Sequence, residues 1–175
     1  MKNAAWADCV AFHGHECGGL AIGYKAALYA IELLGLEFSG DEEVCCIAEN
    51  DACSIDAIQV MLGCSAGKGN LMFHLTGKQA YTFYERSSGR SARIVLREKP
   101  EGMTREESRA YYLAHEPREL FDVKPARIPL PEPARIFRSV RCAKCGETFA
   151  ESFAHLAGGE ILCPDCFEPY SRFRV

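Results

Sequence analysis

No run in this 175-residue sequence stays apolar for the ~20 residues needed to cross a bilayer. The opening segment, MKNAAWADCVAFHGH, lacks the apolar stretch of a secretory signal, which makes the cytoplasm the expected compartment. A basic surplus is also missing. Twenty Lys and Arg against 24 Asp and Glu give a formal charge of −4 and a pI near 5.8, the wrong sign for a general nucleic-acid binder. There is no internal repeat and no low-complexity tract. Cysteine, by contrast, is abundant, with ten residues. In a reducing compartment that many thiols point to metal binding or thiol chemistry rather than to disulfides. Hydrophobic residues make up 48% of the chain, enough to bury a real core, and the length suits one ordinary domain with a small appendage.

Four of the cysteines form two CxxC pairs, Cys142/Cys145 and Cys163/Cys166, separated by residues 146–162. Two residues between thiolates let one tight turn place both sulfurs on a single ion. Four thiolates close a tetrahedral zinc site and leave no position for a substrate. A segment of about 35 residues cannot build its own core, so the metal replaces one. The spacing therefore predicts one structural zinc in a treble clef. Its parts are a knuckle at Cys142–Cys145, a hairpin through Gly158-Gly159, and a terminal helix from Phe167 to Arg172 opened by Cys166. Residues 134–175 are near neutral, and four thiolates outweigh the ion's charge. Nucleic acid is thus a poor partner for the finger, and a protein partner or a purely structural role fits better. His155 reads as a surface hairpin residue, since four sulfurs suffice.

Upstream, residues 3–12 predict a short helix and residues 17–34 a stronger one. In the second, Leu20, Tyr24, Ala27, Leu28, Ile31 and Leu34 share a face, and Gly35 provides a stop. Val44 to Ala48 reads as a buried strand. A helix over 53–62 follows, capped by Asp51 or Ser54 and ending at Gly63. Alternating residues then predict strands around Leu71–Leu75, Tyr81–Tyr84 and Ala92–Leu96, and their short turns favour an antiparallel meander. Thr104 and Glu107 form a capping box that opens a helix to about His115. Four prolines between Asp122 and Pro133 make that stretch stiff and extended. The expected organisation is an α+β core over 1–121, with helices packed on a mainly antiparallel sheet, a Pro-rich linker over 122–136, and the zinc-binding domain over 137–175.

The other informative segment is Phe12-His13-Gly14-His15-Glu16-Cys17-Gly18-Gly19-Leu20. Two histidines and a cysteine within five residues offer borderline-soft ligands suited to zinc, nickel or iron. Cys17 is placed at a helix start, where the macrodipole and free N–H groups favour the thiolate, the form that ligates or attacks. Cys53 is placed at the start of the next long helix, and Cys64 just past that helix beside a glycine-rich loop. Locally, these residues read equally well as caps and packed thiols, and Cys9, Cys45 and Cys46 read as small buried hydrophobes. The loop Gly63-Cys-Ser-Ala-Gly67-Lys68-Gly69 is one residue short of a P-loop and has Gly69 where a magnesium ligand belongs. Lys68 remains a candidate for holding a small anion. His13 and His15 in an extended segment would point to opposite sides. Asp51 and Asp56 could each orient a histidine, though the plainer reading is that they cap and face solvent, and His74 faces solvent or the cleft.

Three motifs occur in order: FHGHxC followed by Gly-Leu-Ala-Ile-Gly, then Asp51-x-Cys-x-x-Asp56-Ala-Ile-Gln, then Gly63-Cys64 with Gly67-Lys68-Gly69-Asn70-Leu. Through most of residues 8–97 the chain thereby resembles the E-subunit family of formylmethanofuran dehydrogenase, some members of which carry a C-terminal treble-clef finger. It departs from the family pattern at Gly18, where proline usually stiffens the helix entry. The resemblance implies an α+β core and a homodimer, with His13, His15, Cys17, Cys53 and Cys64 as functional positions. It does not imply reduction of carbon dioxide onto methanofuran. That reaction uses a molybdenum or tungsten pterin carried by other subunits, and this chain has no recognisable pterin-binding sequence. The expectation is a cytoplasmic metal-binding protein, accessory to redox or one-carbon metabolism, with a structural zinc and a second transition metal in the core. Its alternative is a metal- or thiol-dependent enzyme acting on a small molecule at the His13/His15/Cys17/Cys53 pocket, with Cys17 the best catalytic candidate. A zinc-finger regulator is a third reading, opposed by the charge.

Overall fold

The fold is described from a computed structural model covering residues 5–173, so the first two residues of the helix expected over 3–12 lie outside the described residues. The chain divides into two compact units, one ending at Ala134 and one beginning at Arg135.

The first unit is α+β, as expected. Its helices are α1 (Trp6–His13), α2 (Gly18–Leu34), α3 (Ser54–Leu62), α4 (Arg105–Ala114) and the short α5 (Pro117–Leu120). Its strands are β1 (Val44–Ala48), β2 (Leu71–Phe73), β3 (Ala80–Glu85), β4 (Ser91–Leu96) and β5 (Phe121–Lys124), in sheet order β2-β1-β3-β4-β5. The meander holds only for β3-β4-β5. β2 does not join β3; it pairs in parallel with β1, Cys46 opposite Leu71, and β1 lies between β2 and β3. A parallel pair needs a crossover longer than a turn, and α3 supplies it.

α2 is the spine of this unit. Leu20, Ala21, Ala26, Ala27 and Ala30 are fully buried on it. Small side chains let α3 approach closely, and the crossing point is Gly23. A Cβ built there would lie 2.0 Å from the Ser54 carbonyl oxygen. β1 is buried at every position because both faces are covered. Cys46 and Ala48 join the helix-side core, while Cys45 and Ile47 pack with Tyr84 under Ala126, Ile128 and Leu130.

That second cover corrects the domain boundaries. Residues 122–134 are not a linker. Asp122 to Lys124 belong to β5, paired with β4, and the proline-rich chain after them is strapped to the sheet. The Tyr84 hydroxyl donates to the Ile128 carbonyl. Arg86 donates to the Pro131 carbonyl at 2.6 Å, and the Ala134 N–H donates to the Glu42 carboxylate at 3.1 Å. An extended proline-rich segment leaves its carbonyls free as acceptors, which is what these side chains use.

The second unit consists of two hairpins, β6 (Ser139–Arg141) with β7 (Thr148–Ala150) and β8 (His155–Ala157) with β9 (Glu160–Leu162), and one CxxC pair follows each of β6 and β9. The terminal helix expected over Phe167–Arg172 is absent among the described residues, which form turn and coil there. The segment is only six residues long, and Tyr170 and Phe173 are exposed, so a helix there has too few turns to stand alone and no face to bury.

Candidate metal centres

In the second unit the sulfurs of Cys142, Cys145, Cys163 and Cys166 lie within 4.8 Å of one another. Cys142 and Cys163 are buried and Cys145 is exposed. The Cys163 N–H donates to the Cys142 sulfur at 3.4 Å. Backbone N–H groups of Cys145 and Cys163 bring the Cys142 thiol down to about 6, so the metal-free knuckle already favours a thiolate there. His155 stacks flat on Phe167, with ring centroids 4.2 Å apart, and is outside the sulfur set.

The core centre is assembled from the ends of three helices. His13 closes α1, and Gly14, at φ 89°, turns the chain in the left-handed region that glycine alone enters freely. Cys17 is the N-cap of α2, its sulfur accepting from the Leu20 N–H at 3.3 Å. Cys53 is the N-cap residue of α3 and makes no capping bond. The three donor atoms, from His13, Cys17 and Cys53, lie within 4.8 Å of one another. The His13 Nε2–Cys17 Sγ distance is 3.8 Å. A tetrahedral zinc with the usual bond lengths sets N and S donors about 3.6 Å apart, so the set fits such an ion after a small adjustment.

Asp56 fixes the orientation of the His13 ring. Its Oδ2 is 2.7 Å from His13 Nδ1, and its Oδ1 accepts from the Gln59 side-chain amide at 3.2 Å. A carboxylate only accepts, so Nδ1 carries the proton and the Nε2 lone pair is free toward the sulfurs. The histidine side chain is only 11% exposed. Burial, and then the hydrogen bond and charge of Cys17, push the Cys53 thiol up, so loading a metal there must displace a proton.

Other sequence candidates fall elsewhere. His15 is not the opposite-facing residue expected, because the Gly14 turn brings its ring onto that of His13, centroids 4.4 Å apart, at the cavity wall. Cys64 is separate from the core set. It is fully buried and directs its thiol at the Val44 carbonyl, 3.7 Å away. It follows the C-terminal end of α3 whereas Cys53 is at the N-terminal end, and nine helical residues span about 14 Å. Lys68 does not line the cavity beside Cys17 and Cys53. Its ammonium donates to the Ser39 carbonyl at 2.8 Å. The glycine-rich loop around it is instead organised by fully buried Asn70, which donates to the Val44 and Asp41 carbonyls and accepts from the Ser65 N–H. Asp51 and His74 are exposed.

A cavity of about 710 Å³ adjoins Cys17 and Cys53, with His15 and Gly19 on one side and α4, through Ser108 and Tyr112, on the other. The contribution of α4 is not apparent in the sequence. Ser108 and Tyr112 are four apart and share a helix face, but nothing local says which element that face meets.

These features define a metal-binding α+β protein with two separate groups of soft ligands. A sequence model described as FmdE, molybdenum formylmethanofuran dehydrogenase operon, matches residues 12–124, and the chain belongs to that family. The crystal structure of a tungsten formylmethanofuran dehydrogenase FmdE-like protein from Syntrophus aciditrophicus has the same fold. Its TM-score is 0.62 at 23% identity, covering 89% of this chain and 86% of that one. A probable S-adenosyl-L-methionine-binding protein of Archaeoglobus fulgidus is 30% identical over 168 residues, covering 78% of this chain and 46% of that protein. The chain thus spans about half the length of that curated relative. Among the described residues no helix is long and apolar enough to cross a membrane.

Proposed function

We propose that this chain is a cytoplasmic accessory protein of redox or one-carbon metabolism. In this reading His13, Cys17 and Cys53 hold one transition-metal ion, and the four finger cysteines hold a structural zinc. The observation that carries the core site is the His13–Asp56 contact. A part-buried imidazole with its outer nitrogen tied to a carboxylate and its inner nitrogen 3.8 Å from a sulfur supports a ligand role over a capping one. Three protein donors leave a fourth position for a small molecule, as in open zinc sites, whereas the finger's four sulfurs are closed. A metal so held supplies Lewis-acid polarisation to what it binds. Zinc suits both donor sets, and nickel or iron also suits the core. The finger exposes Phe153 (63%) and Leu156 (75%), which supports contact with a protein partner, and the family resemblance supports a homodimer.

The cavity supports a second reading, in which the same centre is catalytic and His15 carries protons beside it. Both readings require a loaded core site. Metal analysis and thermal melts of paired variants test it. The full chain should carry about two ions, and Cys17→Ser about one, with its melting transition retained. Cys145→Ser should lose the finger ion and the order of that unit instead. Unchanged metal content in Cys17→Ser overturns the core site.

A further inference from the structure

The cavity beside the core donors has a charge pattern that metal binding alone does not use. We infer that it takes an organic carboxylate, whose charged group lies between the core metal and a cationic wall formed by Lys99 and Arg105. This rests on the metal reading above.

Five charged side chains line the cavity: Glu16, Lys99, Arg105, Glu106 and Arg109. Arg109 and Glu16 neutralise each other, Nη1 to Oε2 2.9 Å. Lys99 and Arg105 have no carboxylate within ion-pair distance among the described residues, so Glu106 is the one remaining opposing charge. A divalent ion on two thiolates and a neutral imidazole adds no net charge to the wall, and the Asp56 carboxylate, held on the other nitrogen of His13, does not line the cavity. The cavity is therefore positive by about one charge, and a monoanion cancels it. The α4 wall also supplies neutral hydroxyls from Ser108 and Tyr112. Burial pushes the Tyr112 phenol up, which keeps it a donor near neutral pH. Ile22 and Met103 line the same space, and about 710 Å³ is the size of a small organic-molecule site rather than of an inorganic ion. Charge, hydroxyls and apolar wall together describe a carboxylate with an organic body.

The test uses the full chain loaded with cobalt(II). Thiolate-to-cobalt absorption that disappears in Cys17→Ser establishes the core metal; its absence defeats the metal reading and not the choice of ligand. The loaded protein is then titrated with acetate, butyrate and benzoate, each against its neutral amide and against chloride. At least one carboxylate should shift the Cys17-dependent bands saturably, while its amide and chloride leave them unchanged. The Lys99→Gln/Arg105→Gln double variant should keep the absorption but weaken that carboxylate on the order of tenfold, as for two partly exposed charge contacts. Failure of all three carboxylates to shift the bands, equal binding of acid and amide, or an unchanged affinity in the double variant each overturns the inference.

Discussion

Asp56 sets what His13 can do. Without a carboxylate at Nδ1 the imidazole is free to take the other tautomer, with a proton where the ion must sit. Asp56→Ala should therefore weaken core metal binding about 10- to 100-fold while leaving the fold intact, since Asp56 is a half-buried residue at the start of α3 and caps nothing essential. Competition against a chromophoric chelator reads this directly. Wild-type affinity in Asp56→Ala would remove Asp56 from the centre. The donors themselves are legible in the sequence, because histidine and cysteine crowd into FHGHxC and a cysteine opens the next helix. Their selection is not. Cys53 and Cys64 flank the same helix and look alike in sequence, and only the length of α3 separates the one that reaches His13 from the one buried under Val44. For Asp56 the sequence leaves orienting a histidine open beside capping and facing solvent, and does not decide between them because its partner is 43 positions away.

At the scale of elements, the centre depends on how closely α2 and α3 cross, since each contributes a cysteine from its N-terminus. Gly23 sets that distance. Gly23→Ala forces a methyl group against the Ser54 backbone, one residue from Cys53, at a point where no flexible side chain yields. Overpacking of this kind costs about 3 kcal/mol or more, and it moves the sulfur pair as well. Urea denaturation should show the loss, and stability within about 0.5 kcal/mol of wild type would mean the helices cross elsewhere. The long, periodic helices and the alternating strands are readable from sequence. The partner of β2 is not, because three residues carry too little pattern to specify one, and the choice is made by the α3 crossover. β5 and the strap are hidden by their prolines, which signal extended chain but not whether that chain packs or hangs free. Ala126, Ile128 and Leu130 bury against Cys45, Ile47 and Tyr84 only because the sheet has a second apolar face to cover.

For the whole molecule, the proposed reading makes the two units depend on metal differently. The first has its own apolar core under α2 and survives loss of an ion. Among the described residues the second has two hairpins of three-residue strands and almost no buried apolar side chains besides its cysteines, so in this reading the ion replaces a core. The grouping of the four finger cysteines follows from spacing alone, whereas the expected terminal helix does not form, because that spacing fixes the knuckles and leaves the chain after Cys166 unconstrained. One measurement addresses the central claim most directly: anomalous X-ray diffraction across the zinc, nickel and iron edges from crystals of the full chain. It should place one ion on Cys142, Cys145, Cys163 and Cys166 and a second on His13 Nε2, Cys17 Sγ and Cys53 Sγ, with a non-protein atom as the fourth ligand facing the cavity. A fully loaded finger beside a metal-free His13–Cys17–Cys53 cluster, or a core ion bound through other residues, would contradict it.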